Sequence, residues 1–278
     1  MQVDLHSHST ASDGMLSPSQ LVLHARTEGV AMLALTDHDS TAGIEEAVQT
    51  AQAVRLRLVP GVEVSATWGQ EVIHVVGLNI DAAHAELQQG LAGLRDFRDW
   101  RAQEIARKLA RHGIASAYEG ARAYAQGSIV GRSHFARFLV EQGHARTVHE
   151  VFKSFLVRGK PGYVPGQWAS LEQAVSWITG AGGQAVLAHP ARCKLGSQQF
   201  VTMLSQFKDC GGTGIEVVSG SHTADDCVNM ARYAKRFGLL ASAGSDYHGP
   251  ESSWIELGRL PLLPVGCRAI WETWNIAT

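Results

Sequence analysis

The stretch VDLHSHSTASDG, residues 3–14, decides how the chain is read. A short strand-like piece runs straight into two histidines one residue apart, His6 and His8, and then into a polar loop that reaches Asp13. As a loop the run is ordinary. As a place to hold a cation it is well supplied with imidazole and carboxylate, and the sequence that follows decides between the two.

Working outward, SPSQLVLHARTEG (17–29) carries a helix, with Ser17 as cap, Pro18 at the first position and Gly29 at the end. AMLALTDH (31–38), RLVPGVEVSA (57–66) and EVIHVVGLNI (71–80) are strand-like, with a second helix over TAGIEEAVQTAQAV (41–54). Apolar strands alternating with amphipathic helices predict a mostly parallel α/β sheet or barrel. From about residue 81 to 163 only helical patterns occur, beginning with the long HAELQQGLAGLRDFRDWRAQEIARKLARHG (84–113). This stretch is expected to be a helical insertion, a lid or substrate-binding element, carried on a barrel made of 1–80 and 164–278. Alternation then resumes, with strands QAVLAH (184–189), GIEVVSG (214–220) and LLASAGSD (239–246) and helices between them.

The 278 residues are 45% hydrophobic and 18% charged, enough for one large core. A net charge of −2 supplies no broad basic field, so duplex DNA and anionic membrane are not expected partners. The four cysteines show no paired spacing, which suggests neither a zinc knuckle nor a disulfide framework and fits a reduced, cytoplasmic protein. No apolar run is long enough for a membrane span, and, with the first motif beginning within a few residues of Met1, no signal peptide is expected.

The polar residues gather where strands end. His6 and His8 close the first strand and Asp13 follows on its loop; His38 closes the second; Glu63 sits in the third; His74 interrupts the fourth. His189 closes AVLAH, and Asp246 and His248 follow the last strand. In an α/β barrel the C-terminal strand ends share one face, where such folds keep their chemistry. Six histidines and three carboxylates meeting there would be costly to desolvate and would repel one another unless divalent cations joined them. At three or four ligands per ion the set fits two to three metals, with Glu63 a natural bridge, and the mixed N/O donors suit Mn²⁺, Fe²⁺ or Zn²⁺.

DLHSHSTASDG (4–14), LTDHDSTAG (35–43), PGVEVSA (60–66), HVVG (74–77), AHP (188–190) and GSDYHG (244–249), in that order, resemble the motifs of the PHP (polymerase and histidinol phosphatase) family. The resemblance implies a distorted seven-stranded (β/α) barrel of PHP type and a trinuclear metal centre, with manganese favoured. By position it implies that His6, His8, Glu63 and Asp246 bind one ion, that Glu63 bridges to a second held by His74 and His189, and that Asp13, His38 and His248 hold the third. The insertion and VGRSHFARFLV (130–140) look most like the stand-alone nucleotidase branch, similar to nucleoside 3′,5′-bisphosphate phosphatases and small 5′→3′ exoribonucleases; a histidinol-phosphate phosphatase is a poorer match.

Clustered divalent ions lower the pKa of bound water and neutralise phosphate oxygens, so phosphoester hydrolysis by metal-bound hydroxide needs no protein nucleophile. None stands out: the chain has no G-x-S-x-G and no Walker loop. Catalytic roles are expected for Asp13, His38, Glu63, Asp246 and His248, with Asp13, His38 and His248 nearest the phosphate. Asp37 and Asp39 flank His38 and are candidates to orient ligands, Asp39 equally to cap the next helix. A second phosphate and a base would be met by Arg132, Ser133 and His134 at a helix start, by Arg158 and Lys160 on a Gly-rich turn, and by Arg101, Gln103 or Glu104 on the long helix. His222, after the strand GIEVVSG, is a candidate proton donor. The leading expectation is removal of the 3′-phosphate from a nucleoside 3′,5′-bisphosphate, followed by 5′→3′ hydrolysis of short RNA. A C–N hydrolase and a non-catalytic metal-binding module are the distant rivals.

Overall fold

The computed structural model describes residues 2–250 and 255–274 of the chain. Its strands are β1 (Val3–Asp4), β2 (Met32–Leu35), β3 (Arg57–Trp68), β4 (Glu71–Leu78), β5 (Ala169–Ser170), β6 (Gln184–Leu187), β7 (Gly214–Ser219) and β8 (Leu240–Gly244). Seven lie side by side in the order β1-β2-β3-β4-β6-β7-β8, and the two-residue β5 pairs with β3. The sheet nearly closes on itself: the Leu5 amide donates to the Ala243 carbonyl at 2.9 Å and the Asp246 amide to the His6 carbonyl at 2.9 Å. This is a mixed α/β fold with a barrel-like sheet, as the sequence pattern predicts.

The helices are α1 (Pro18–Thr27), α2 (Ile44–Val54), α3 (Ala85–Ala110), α4 (Ala117–Tyr124), α5 (Arg132–Glu141), α6 (Val148–Val151), α7 (Leu171–Gly180), α8 (Ser197–Asp209) and α9 (Ala224–Phe237). Ser17 caps α1, its side chain accepting from the Gln20 amide while Gln20 reaches back to the Ser17 amide. Thr223 caps α9 in the same way with Asp226.

One strand departs from the expected parallel pattern. β4 runs antiparallel to both neighbours, β3 and β6. Only Gly69 and Gln70 join Trp68 to Glu71, and Gly69 takes a φ of 59°, the left-handed conformation such a hairpin loop needs. The reversal matters for function. In a strand running the other way, the early residue His74, not the last residue, lies level with the C-terminal ends of the parallel strands.

The main core lies around the sheet and includes Leu33, Val64, Val75, Leu187 and Val218. A second apolar cluster is drawn entirely from residues 102–164, among them Ile105, Leu109, Phe135, Leu139 and Leu156. Between them runs α3, whose first half packs into the main core through Leu87, Leu91 and Leu94 and whose second half joins the other through Ala102, Ile105 and Leu109.

Candidate metal centre

The loop after β1 doubles back sharply. A Cβ on Gly14 would lie 2.3 Å from the His8 carbonyl oxygen, so only glycine permits the fold that carries Asp13 under His248 and His38. Asp37 secures the same loop: its carboxylate accepts from the Ser9 amide at 2.8 Å and from the hydroxyls of Ser9 and Ser12 at 2.7 and 2.6 Å. Burial nevertheless pushes its pKa up to about 6. Asp39 does not cap α2; it accepts from the Ser65 amide at 2.7 Å and pairs with Arg98 at 2.6 Å.

All nine residues expected on the rim converge. Glu63, fully buried, is the centre of the set. Its Oε1 lies 2.7 Å from His74 Nδ1 and 2.9 Å from His189 Nε2. Its Oε2 lies 2.7 Å from His38 Nδ1, 3.3 Å from His6 Nε2 and 3.4 Å from His8 Nε2. Asp246 Oδ1 approaches His8 Nε2 at 3.2 Å and His6 Nε2 at 3.6 Å, and Asp13 Oδ1 lies 3.3 Å from His248 Nε2.

Despite these short distances, His6 Nε2, both nitrogens of His8, His38 Nδ1, Asp13 Oδ1 and Glu63 Oε2 are buried without a hydrogen bond. The atoms crowd together but are not aimed at one another, which is the arrangement of lone pairs directed at shared points between them. Leaving so many buried polar atoms unsatisfied costs about 1–3 kcal/mol each, and cations at those points would remove the cost. Three sets of donor atoms lie close enough to share an ion: His8, Asp13, His38 and His248; His6, His8, Glu63 and Asp246; and His38, Glu63 and His74. Burial opposes charge on His6, His38 and His248, but the facing carboxylates outweigh it, raising the first two and pushing His248 up to about 9. Burial opposes charge on Glu63, but His38, His74 and His6 outweigh it and hold its carboxyl well below the usual range. Asp13 and Asp246 are held down likewise, by His248 and His38 and by His6 and His8. Burial, with His248 beside it, keeps His8 neutral, its pKa lowered to about 3.

The candidate substrate groups divide. Ser133 donates to Asp13 Oδ2 at 2.7 Å, placing the N-terminus of α5 against the cluster. His134 is buried and turned back on its own helix, accepting from the Gly131 amide at 3.0 Å. Arg101 donates to the Val164 carbonyl at 3.1 and 3.0 Å and lies over the Trp168 ring; Arg132 lies over Phe152. Gln103 donates to Asp99 and Glu104 pairs with Arg107, both along the surface of α3. Arg158 and Lys160 are exposed. Both ring nitrogens of His222 are engaged, with the Val217 carbonyl and the Ala191 amide.

Residues 4–178 match the family model described as the PHP domain. The chain belongs to the PHP family. Among its PHP relatives is a 3′,5′-nucleoside bisphosphate phosphatase from Chromobacterium violaceum, 45% identical over 271 residues, covering 97% of this chain and 95% of the relative. The 5′-3′ exoribonuclease Rnm of Salmonella typhimurium is 46% identical, covering 98% and 93%. A solved Chromobacterium violaceum structure, described as an amidohydrolase with bound sulfate and no metal, superposes with a TM-score of 0.95 at 44% identity over 98% of this chain and 95% of that one. A metal-dependent phosphoesterase structure from Bifidobacterium adolescentis gives 0.81 at 28% identity, covering 89% and 87%.

Sequence reasoning missed three groups that support this PHP rim. Glu216 accepts from His6, Arg98 pairs with Asp39, and Arg192 donates to Asp246 Oδ2 at 2.9 Å. Each bridges segments far apart in the chain, and no local pattern marks it. Among the described residues no helix is long and apolar enough to cross a membrane.

Proposed function

We propose that this chain is a metal-dependent phosphoesterase that removes the 3′-phosphate of nucleoside 3′,5′-bisphosphates, converting pAp to AMP. The observation that carries the reading is a pair of guanidiniums beside the carboxylate–imidazole cluster. Arg101 and Arg132 are both partly buried, and the charged form of each is disfavoured by burial and then by neighbouring arginines. Among the described residues neither forms an ion pair with a carboxylate. Two enclosed, mutually repelling cations gain most from an anion between them, and a substrate with two phosphates supplies one for the cluster and one for the arginines. The name of the Chromobacterium violaceum relative is consistent with such a substrate.

His6, His8, Glu63 and Asp246 would hold one divalent cation; Glu63, His74 and His189 a second; Asp13, His38 and His248 a third, with Mn²⁺ favoured. Bound there, such ions neutralise phosphate oxygens and lower the pKa of water. The chain's own groups do the positioning. Asp13, held by Ser133 at the start of α5, fixes the rim nearest the insertion, while Arg101 and Arg132 orient the distal phosphate. Residues 81–163 then form the substrate-binding unit on a barrel of 1–80 and 164–278.

A second reading, 5′→3′ hydrolysis of short RNA, is favoured by a cleft of about 540 Å³ that opens at Pro190 and Ala191, next after His189. Arg232 and Arg236 line it, and so do Phe200 and Tyr233, stacked edge to face with centroids 4.9 Å apart. Cationic and aromatic groups together suit a nucleic-acid strand. Product analysis on pAp and on a 5′-phosphorylated oligoribonucleotide, with Mn²⁺ added, separates the two. Phosphate and AMP from pAp support the first reading; mononucleotides from the oligomer alone overturn it in favour of the second.

A further inference from the structure

Glu216 sits in the middle of β7, GIEVVS, where every residue is buried. A carboxylate among Ile215, Val217 and Val218 is expensive to bury, and both of its oxygens are used. Oε1 accepts from His6 Nδ1 at 2.6 Å. Oε2 accepts from the His189 backbone amide at 2.5 Å. A carboxylate only accepts, so His6 holds a proton on Nδ1, and Nε2, the atom facing Glu63 and Asp246, is the nitrogen left to offer a cation its lone pair. The amide bond pins His189 where its backbone takes a φ of 27°, an unusual conformation for a residue with a side chain. That conformation directs His189 Nε2 onto Glu63 Oε1.

Two further features make room for the carboxylate. The β7–β8 register slips between Glu216 and Val218, an irregularity of the kind that re-aims side chains beside functional sites. Across from it, a Cβ on Gly244 would lie 2.2 Å from the His6 Cβ and 3.0 Å from Glu216 Oε1, so the small residue there leaves space for the Glu216–His6 pair.

We infer that Glu216 is a positioning residue for the metal centre: one buried carboxylate that sets the His6 tautomer and the His189 backbone, and so couples the ligands of two neighbouring ions. The inference rests on the metal reading above. A carboxylate behind a ligating imidazole also raises its basicity, and loss of such a partner typically weakens metal binding about 10- to 100-fold.

The test compares wild type with Glu216→Gln and Glu216→Ala. Manganese binding is measured by equilibrium dialysis with elemental analysis, and the His6 Nδ1–H···carboxylate bond by ¹H–¹⁵N NMR of the Zn²⁺-loaded protein. A Gln side chain has one acceptor oxygen for two donors, so Mn²⁺ should bind about 10- to 100-fold more weakly, with turnover recovering as Mn²⁺ is raised. Wild-type His6 should show a strongly downfield Nδ1 proton, and the Ala variant should lose that signal. A merely structural role would lower the melting temperature in chelator and leave the affinity of the folded protein unchanged. Tight wild-type binding that Glu216→Gln matches within about twofold overturns the inference alone. Failure of the wild type to bind Mn²⁺ overturns the metal reading and this inference with it.

Discussion

Replacing Arg132 with Met separates a binding arginine from a structural one, because the two roles move different quantities in opposite directions. Met keeps an unbranched apolar stem against Phe152 and removes the charge. If the guanidinium meets the distal phosphate, its loss removes a charge-assisted contact worth about 1.5–3 kcal/mol, or roughly 10- to 150-fold in affinity. The free protein behaves differently. Arg132 is crowded by Arg98, and its own charge bears on Arg101, so the variant is relieved of repulsion. It should melt no lower than wild type, and higher at low salt where repulsion is least screened. The assay is steady-state phosphate release from pAp and from adenosine 3′-monophosphate, which lacks the distal phosphate. KM for pAp should rise by the stated factor while kcat changes little, and the preference for bisphosphate over monophosphate should vanish. An unchanged KM for pAp, or equal losses on both substrates, would refute the assignment of the arginine pair to an anion.

Stripping metal with a chelator should lower the melting temperature by about 5–10 °C. Binding at a hundredfold excess over Kd contributes about 2.7 kcal/mol, and each kcal/mol shifts a chain of this size about 2–4 °C; calorimetry with and without Mn²⁺ reads it. Arg98→Met strands the fully buried Asp39 and should cost about 3–5 kcal/mol in chemical denaturation, part of it recovered in the Asp39→Asn double variant. Gly244→Ala drives a methyl into His6 and should cost about 1–3 kcal/mol together with weakened Mn²⁺ binding, checked by denaturation and dialysis. Burial pushes the Cys193 thiol up to about 11, leaving roughly one thiolate in three thousand at pH 7.5. Mass spectrometry after brief iodoacetamide treatment at that pH should find Cys193 unmodified.

The candidate metal rim is largely legible in sequence because most of its members sit at positions the local pattern already marks. His6, His8, His38, His189 and Asp246 lie where an apolar run stops, and one turn of chain is enough to see each. The direction of β4 is written in Gly69-Gln70, a two-residue loop whose length alone implies a hairpin. A reading tuned to parallel alternation passes over it and leaves His74 as a mid-strand residue. The supporting shell is hidden for a different reason. Glu216 and His6 are 210 residues apart, and Arg98 and Asp39 are 59 apart. Their pairing follows from tertiary closure, not from any periodicity. The helix start at 131–134 teaches a further lesson. Arg132, Ser133 and His134 look alike as anion-facing groups in sequence, yet the backbone sends them to the Phe152 ring, the Asp13 carboxylate and a cap on their own helix.

The continuous α3 bears on how substrate enters. Its 26 residues extend about 39 Å, seated at one end in the main core between sheet and helices and at the other in the neighbouring cluster. Midway, Arg95 and Arg98 fasten it to the segment bearing His38. A movement of the second half of this helix relative to the barrel would have to bend it or break those two arginine contacts. Elements held in place before a ligand arrives spend little of its affinity on reshaping the protein.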